Sequence, residues 1–313
     1  MHYDIIGDIH GHLRPLEQLL LNLGYVPTNG TWSHPERKAL FLGDYIDRGP
    51  EQLGVLELVR RMVDAGSAGA IQGNHEANAC AYALRGPDGE FLRPHTAKNR
   101  HQHQAFLDAV GEGSKLHDEW IEWFLTLPLW QDLGSLRIVH ACWHPDQIEL
   151  LQDHVAPGNR YDRSRLPDYF TRGNPLCDAV EIILKGPEVP LPPGVVFHDK
   201  DGHERRNTRI RWWLDDAVSY RDAALVDDNT AQLLPDTPLP ATTLPRRDDV
   251  PVFFGHYWMS GLPSLVSPRS ACLDFSIAKD GRLAAYSFDG ETELDPLKLR
   301  WVEHQPEAEP EFG

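Results

Sequence analysis

Short apolar runs recur along the chain, and the polar residues that close them are of one kind. "YDII" (3–6) runs into "GDIHGH", "ALFL" (39–42) into "GDYIDRGP", and "AGAIQ" (68–72) into "GNHE". Further on, "LRIV" (136–139) runs into His140 and "VPVFF" (250–254) into "GHYW". Runs of this length, bounded by turn residues, predict buried strands. Each ends in a glycine, a metal-type ligand, or both. Between the first three lie amphipathic patterns: residues 14–24 carry leucines at helical spacing and close on Gly24, and residues 50–66 repeat the pattern and close on Gly66. Strand–helix–strand alternation predicts a sheet with helices packed outside it, and open α/β sheets collect ligands at the carboxyl ends of their strands. The five polar clusters are therefore expected on one rim.

The remainder of the chain is less regular. Residues 80–130 read as mostly helical. Residues 157–249, rich in proline with clustered arginines, predict an elaborated insertion between the fourth and fifth strands that covers the site. "ACLDFSIAKDGRLAAYSFDG" (271–290) predicts a hairpin turning at Lys279-Asp280-Gly281. Residues 1–303 are expected to form one domain and 304–313 a frayed tail.

Composition narrows the function. With 30 basic and 47 acidic residues the formal charge is -17, which argues against a general nucleic-acid binder. It does not argue against a small anionic substrate, because bound divalent cations reverse the local field of an acidic site. The four cysteines are scattered without a CxxC and read as reduced thiols. No apolar segment approaches the roughly 18–20 residues of a membrane span, and the first residues lack a basic stretch followed by an apolar core. The expectation is a cytoplasmic protein that does not engage a membrane.

The clusters supply a definite chemistry. Asp8 and His10 sit one residue apart and can face one ion. Asp44 can place a carboxylate between two ions, Asn74 offers a neutral oxygen, and His140 and His256 offer imidazoles. This mixed N/O set without thiolates suits manganese, iron or zinc, and manganese is the first expectation. Six ligands exceed what one ion with an open position needs, but suit two ions about 3.5–4 Å apart that share Asp44. Such a pair lowers the pKa of a bridging water and clamps phosphoryl oxygens for in-line attack. His75 is placed to serve as the acid for the leaving oxygen, Asp47 to hold its imidazolium, and Arg48 to grip phosphate in a fork.

The blocks "GDIHG" (7–11), "GDYIDRG" (43–49) and "GNHE" (73–76), followed by "HA" (140–141) and "GH" (255–256), resemble the signature of the calcineurin-like metallophosphoesterases. The resemblance is to the branch shared by serine/threonine protein phosphatases and the bacterial symmetrical and PrpE-type diadenosine tetraphosphate hydrolases. It implies an α/β fold, a four-layer αββα sandwich, with a dinuclear site. On that resemblance Asp8, His10 and Asp44 hold the first ion and Asp44, Asn74, His140 and His256 the second. His75 with Asp47 is the acid pair and Arg48 a phosphate anchor. "HACW" and "GHYW" depart from the family's usual "HGG" or "HAG" and "GHTP" or "RAH", and no insertion block aligns with its later phosphate-binding arginine.

Two other segments carry alternatives. Residues 91–106, with Arg93, His95, Lys98, Asn99 and His103, could contact distal phosphates or a base, or be a solvated helix start. "ERRNTRIRWW" (204–213) could bring Arg205, Arg209 or Arg211 to phosphate and Trp212 or Trp213 to a nucleobase, or be a half-buried strand. The expected function is a metal-dependent phosphoesterase that acts through a metal-bridging hydroxide on a nucleotide or other small phosphoester. A serine/threonine-type phosphoprotein phosphatase is the alternative, and a non-catalytic metal-binding interaction domain the reading from another class.

Overall fold

The computed structural model describes residues 2–198, 204–214, 219–240, 243–246 and 248–304; the expected frayed tail falls, from residue 305, outside them. Ten strands build two sheets. The first contains β1 (His2–Ile6), β2 (Arg37–Phe41) and β3 (Ala68–Ala70). The second contains β4 (Trp130–Asp132), β5 (Arg137–Val139), β6 (Val252–Phe254) and β7 (Ser270–Cys272). The chain then returns to the first sheet as β8 (Asp274–Phe275), β9 (Arg282–Phe288) and β10 (Leu299–Glu303). The order is β8-β9-β1-β2-β3, with β10 also on β9, and β7-β6-β5-β4. β1, β2 and β3 are parallel, as are β5, β6 and β7.

Alternation along each strand sorts the side chains into layers. Ile5, Leu40, Tyr286 and Phe288 of the first sheet meet Ile138, Phe253 and Ala271 of the second in one apolar cluster between them. Full burial of a residue such as Phe253 contributes about 1.5–3 kcal/mol. The neighbouring positions Ile6 and Phe41 join the apolar stripes of α1 (Leu13–Asn22) and α2 (Gln52–Asp64). On the second sheet Val139 and Phe254 join Ile148 and Leu151 of helix Pro145–Gln152 and Val180 and Ile183 of helix Pro175–Lys185. Helix, sheet, sheet, helix is the result.

Helix Pro175–Lys185 corrects part of the expectation for 157–249. Its Leu176, Val180, Ile183 and Leu184 form a buried stripe, and Ala141 and Cys142 donate their backbone N–H groups to Ile183 O at 2.9 and 3.2 Å. This stretch is an outer layer of the sandwich, not a cover. Trp212 and Trp213 are buried against Phe254, and Trp212 Nε1 donates to Ala141 O at 3.0 Å. They brace the second sheet and offer no base-stacking face.

The segment 271–290 is a hairpin only from Asp274 onward: Asp274 pairs with Leu283 and Phe275 with Arg282, around Asp280 in the left-handed region (φ 57°). Ala271 and Cys272 lie in the other sheet.

Candidate metal centre

The loops that leave the parallel strands are laced together by backbone. Ile9 and His10 donate to Asp44 O at 3.1 and 2.8 Å, Gly11 donates to Tyr45 O at 2.8 Å, and Gly255 donates to His140 O at 2.8 Å. The two sheets are joined where His256 N donates to Asp8 Oδ2 at 3.0 Å. To aim side chains at a common point these loops adopt conformations that ordinary residues avoid. His10, Asp44, Asp47, Arg48 and His256 all have positive φ (47°, 52°, 69°, 73° and 73°). Each costs about 1–2 kcal/mol relative to right-handed backbone, a strain that gathers at the predicted ligand and acid residues.

Asp8, His10, Asp44, Asn74, His140 and His256, expected on one rim, are brought together. Donor atoms of His10, Asp44 and His75 lie within 4.8 Å of one another, and so do those of Asp44, His140 and His256. Asp44 belongs to both groups, with Oδ2 3.6 Å from His10 Nε2 and Oδ1 3.4 Å from His140 Nε2. Asn74 Oδ1 is 3.1 Å from His140 Nε2 and 2.7 Å from His256 Nδ1. Asp8 joins through the His256 amide, which donates to its Oδ2.

Tautomers follow from the partners. His10 Nδ1 is 2.9 Å from Ile46 O and His140 Nδ1 is 2.8 Å from Leu42 O. A carbonyl only accepts, so both Nδ1 atoms carry hydrogen; His10 Nε2 is then left without a partner, while His140 Nε2 faces the Asn74 and Asp44 oxygens. Asp8 Oδ1, His10 Nε2 and His256 Nε2 are buried without a hydrogen-bond partner. Buried polar atoms of this kind are expensive, and orphaned donors on both sides of Asp44, His10 in one group and His256 in the other, fit divalent cations. The electrostatics agree: burial, and then the Asp274 and Asp44 carboxylates, raise Asp8 well above the usual carboxylate range. Burial pushes His10 down to about 3 against the pull of Asp44, which leaves its imidazole neutral, whereas at His140 burial is outweighed by the Asp44 charge, which raises it to about 10.

On the cavity side, His75 Nδ1 lies 2.6 Å from Asp47 Oδ2 and its Nε2 lies 3.4 Å from Arg48 Nη2. Burial disfavours the His75 imidazolium, but the Asp44 charge and the Asp47 hydrogen bond outweigh it and raise its pKa. Burial likewise opposes the Asp47 carboxylate, yet hydrogen bonds from His103 and His75 bring it down to about 2. These groups line a cavity of about 760 Å³ that also receives Arg93 and Arg209.

Three further residues hold this arrangement: Glu76 and Asp274, which the sequence left without a role, and His103, expected at a distal phosphate, a base or in solvent. Glu76, fully buried, accepts from Asp44 N, Tyr45 N and Gly73 N at 2.9, 2.8 and 2.9 Å, and so ties two signature loops to the start of α3 (Asn74–Ala83). Its place three residues after the helix cap at Gly73 is the available signal. His103 Nδ1 is 2.9 Å from Asp47 Oδ1. Asp274 accepts from Trp258 N and Ser276 N at 2.7 and 2.9 Å and fixes the loop beyond His256. Of the arginines expected at the substrate, Arg209 lines the cavity and Arg205 and Arg211 do not. Arg211 Nη2 donates to Asp222 O, because burial of the adjacent tryptophans turns the chain there. Arg205 lies on an exposed two-residue strand that borders a separate cavity.

Two glycines are required by close approach. A Cβ on Gly73 would lie 2.2 Å from Asp44 Oδ1, and one on Gly255 would lie 1.9 Å from Asp8 Oδ1. Gly255→Ala is therefore expected to displace Asp8 and lower metal content severalfold while cooperative unfolding persists. Elemental analysis and a thermal melt check both halves; unchanged metal content would show that Asp8 is dispensable.

The sequence profile described as calcineurin-like phosphoesterase matches residues 1–256, from the first strand to His256. The chain belongs to this family. Among curated calcineurin-like relatives, the bis(5'-nucleosyl)-tetraphosphatase PrpE [asymmetrical] of Oceanobacillus iheyensis is 49% identical over 143 residues, covering 45% of this chain and 55% of that one. The Bacillus subtilis protein of the same description is 31% identical over 156 residues, covering 47% and 60%. The chain thus spans little more than half the length of these two relatives. A solved protein serine/threonine phosphatase from Saccharomyces cerevisiae covers 99% of this chain and 82% of its own, at a TM-score of 0.46 and 12% identity, too distant to bear on chemistry. Among the described residues, no helix of this calcineurin-like chain is long and apolar enough to cross a membrane.

Proposed function

We propose that the protein is a phosphoesterase that binds two divalent ions, most readily manganese, and hydrolyses a phosphoanhydride or phosphoester of a nucleotide. The observation that carries this reading is Asp44, one carboxylate common to two donor groups, one with His10 and His75 and one with His140 and His256, where His75 is also held by Asp47. When bound, the ions would supply an acidified water and neutralise phosphoryl oxygens. Asp8, His10 and Asp44 would hold one ion and Asp44, Asn74, His140 and His256 the other. The chain's own residues do the rest. Arg48, exposed at the cavity wall, binds the non-bridging oxygens. His75 Nε2–H gives its proton to the leaving oxygen as the P–O bond breaks, and Asp47 keeps the imidazole oriented and charged. The presence of this acid pair beside the ligands favours an enzyme over a passive metal-binding domain.

The size and lining of the cleft favour a nucleotide. The cavity of about 760 Å³ meets a second of about 700 Å³, with Arg209, His256 and Trp258 bordering both. The Arg48 guanidinium and Lys279 Nζ each lie 3.7 Å from the Trp258 ring centroid, a cationic junction suited to the phosphates of a nucleotide. The names of the Oceanobacillus and Bacillus relatives point the same way. The test is a manganese-loaded preparation assayed against diadenosine tetraphosphate, a phosphoserine peptide and p-nitrophenyl phosphate, each with a chelator control. The tetraphosphate is expected to turn over at least about tenfold faster in kcat/KM than the peptide, a margin of about 1.4 kcal/mol in transition-state binding. Turnover of the peptide alone makes the protein a phosphoprotein phosphatase instead.

A further inference from the structure

We infer that Arg93 is a specificity residue which binds a second phosphoryl group, beyond the one being hydrolysed, so that the site prefers a phosphate chain over a lone phosphate. This rests on the phosphoesterase reading above and deepens it. Arg93 lies in the loop after α3 and lines the cavity shared with Asp44, Asp47 and His75. Its guanidinium is held by side-chain amides alone: Nη1 donates to Asn78 Oδ1 at 2.7 Å, and Nη2 to Asn99 Oδ1 at 3.1 Å and Gln102 Oε1 at 3.2 Å. Neutral acceptors aim a guanidinium without cancelling its charge.

That choice of partners stands out in a chain with 47 acidic and 30 basic residues. Elsewhere on the same wall Lys185 is paired with Glu181 and Arg209 with Glu188. Among the described residues, Arg93 has no carboxylate within ion-pair distance, and neither does Arg48. Two guanidiniums without a contacting carboxylate therefore face one cavity, Arg48 beside His75 and Arg93 farther along, and carboxylates such as Asp47 act on them only through space. Asn78 fixes the spacing. It sits four residues after Asn74 and three after His75, on the same face of α3, so the anchor of Arg93 lies about one helical turn, roughly 5–6 Å, from the acid. A half-buried cation with only neutral partners is costly to the empty protein, and an anionic ligand recovers that cost.

The test compares inorganic tripolyphosphate with orthophosphate, as inhibitors of p-nitrophenyl phosphate hydrolysis at excess manganese and as ligands that raise the thermal midpoint of the metal-loaded protein. The wild type is expected to bind tripolyphosphate more tightly. Arg93→Met should weaken tripolyphosphate at least about tenfold, the order expected for one charge-assisted contact. It should leave the orthophosphate inhibition constant and kcat/KM for p-nitrophenyl phosphate within about twofold. Arg93→Lys, which keeps the charge and disturbs the loop least, should retain an intermediate preference because the fork is lost. A merely structural arginine would weaken both anions together. Equal weakening, or an unchanged ratio in both variants, overturns the inference. An unchanged ratio in a protein that cleaves diadenosine tetraphosphate removes Arg93 and leaves the nucleotide reading standing. A wild type that cleaves only phosphopeptide removes the nucleotide reading while the anion ratio still decides Arg93.

Discussion

His75→Asn is expected to lower kcat on an alkyl phosphate by about 10²–10⁴-fold, the range for loss of a positioned general acid. The same variant should keep p-nitrophenyl phosphate turnover within about tenfold, because that leaving group departs as a stable anion and has little need of a proton. The split between the two substrates is the signature. A lost ligand would depress both equally, and His75 Nε2 is 3.9 Å from Asp44 Oδ2, close enough for that alternative to be checked. Metal content by elemental analysis should therefore stay near the wild-type value. Undiminished turnover of the alkyl phosphate would remove His75 from the acid role. Asp47 enters the same test: it receives both His75 and His103, so its loss would free two imidazoles at once.

The other large effect is expected at Asp44. Asp44→Asn keeps the shape of the side chain and an oxygen to accept from His75 N, which now lies 3.0 Å from Asp44 Oδ1, but removes the one charge common to both donor groups. Metal content should fall below two ions per chain. Turnover of every phosphate ester should fall by roughly 10³-fold or more, which corresponds to about 4 kcal/mol of lost charge stabilisation. Retained cooperative unfolding separates loss of metal from loss of fold. An Asp44→Asn protein with full metal content would show that the two groups do not share this carboxylate, and the dinuclear reading would fall with it.

Much of this centre was legible because its residues sit where a strand pattern stops. Asp8, Asp44 and Asn74 each follow a glycine at the end of an apolar run, and the parallel direction of β1, β2 and β3 carries all three ends to one side. Glu76 was visible as a letter in "GNHE" but its task was not. Besides Gly73 N close by, its partners are the backbone N–H groups of Asp44 and Tyr45, 32 and 31 residues away, and a backbone donor leaves no mark in the sequence. His103 was hidden differently: it is 56 residues from Asp47, in a polar segment whose pattern suits solvent equally well. The arginines of 204–211 misled because composition records charge and not direction. Only Arg209 reaches the cavity, while the neighbouring tryptophans, read as a base platform or as buried strand, pack on Phe254.

The sequence by itself determined the kinds of donor, their order, and the strand ends that carry them, because alternation and glycine punctuation are local properties of a chain. The tertiary structure decided which donors meet. It set Asp44 between two groups of imidazoles, crossed the chain from one sheet to the other between Cys272 and Asp274, and held Arg93 by amides instead of carboxylates. Those outcomes depend on the lacing of loops far apart in sequence and on strained backbone at His10, Asp44 and His256, which local propensity disfavours and only the packing of both sheets sustains.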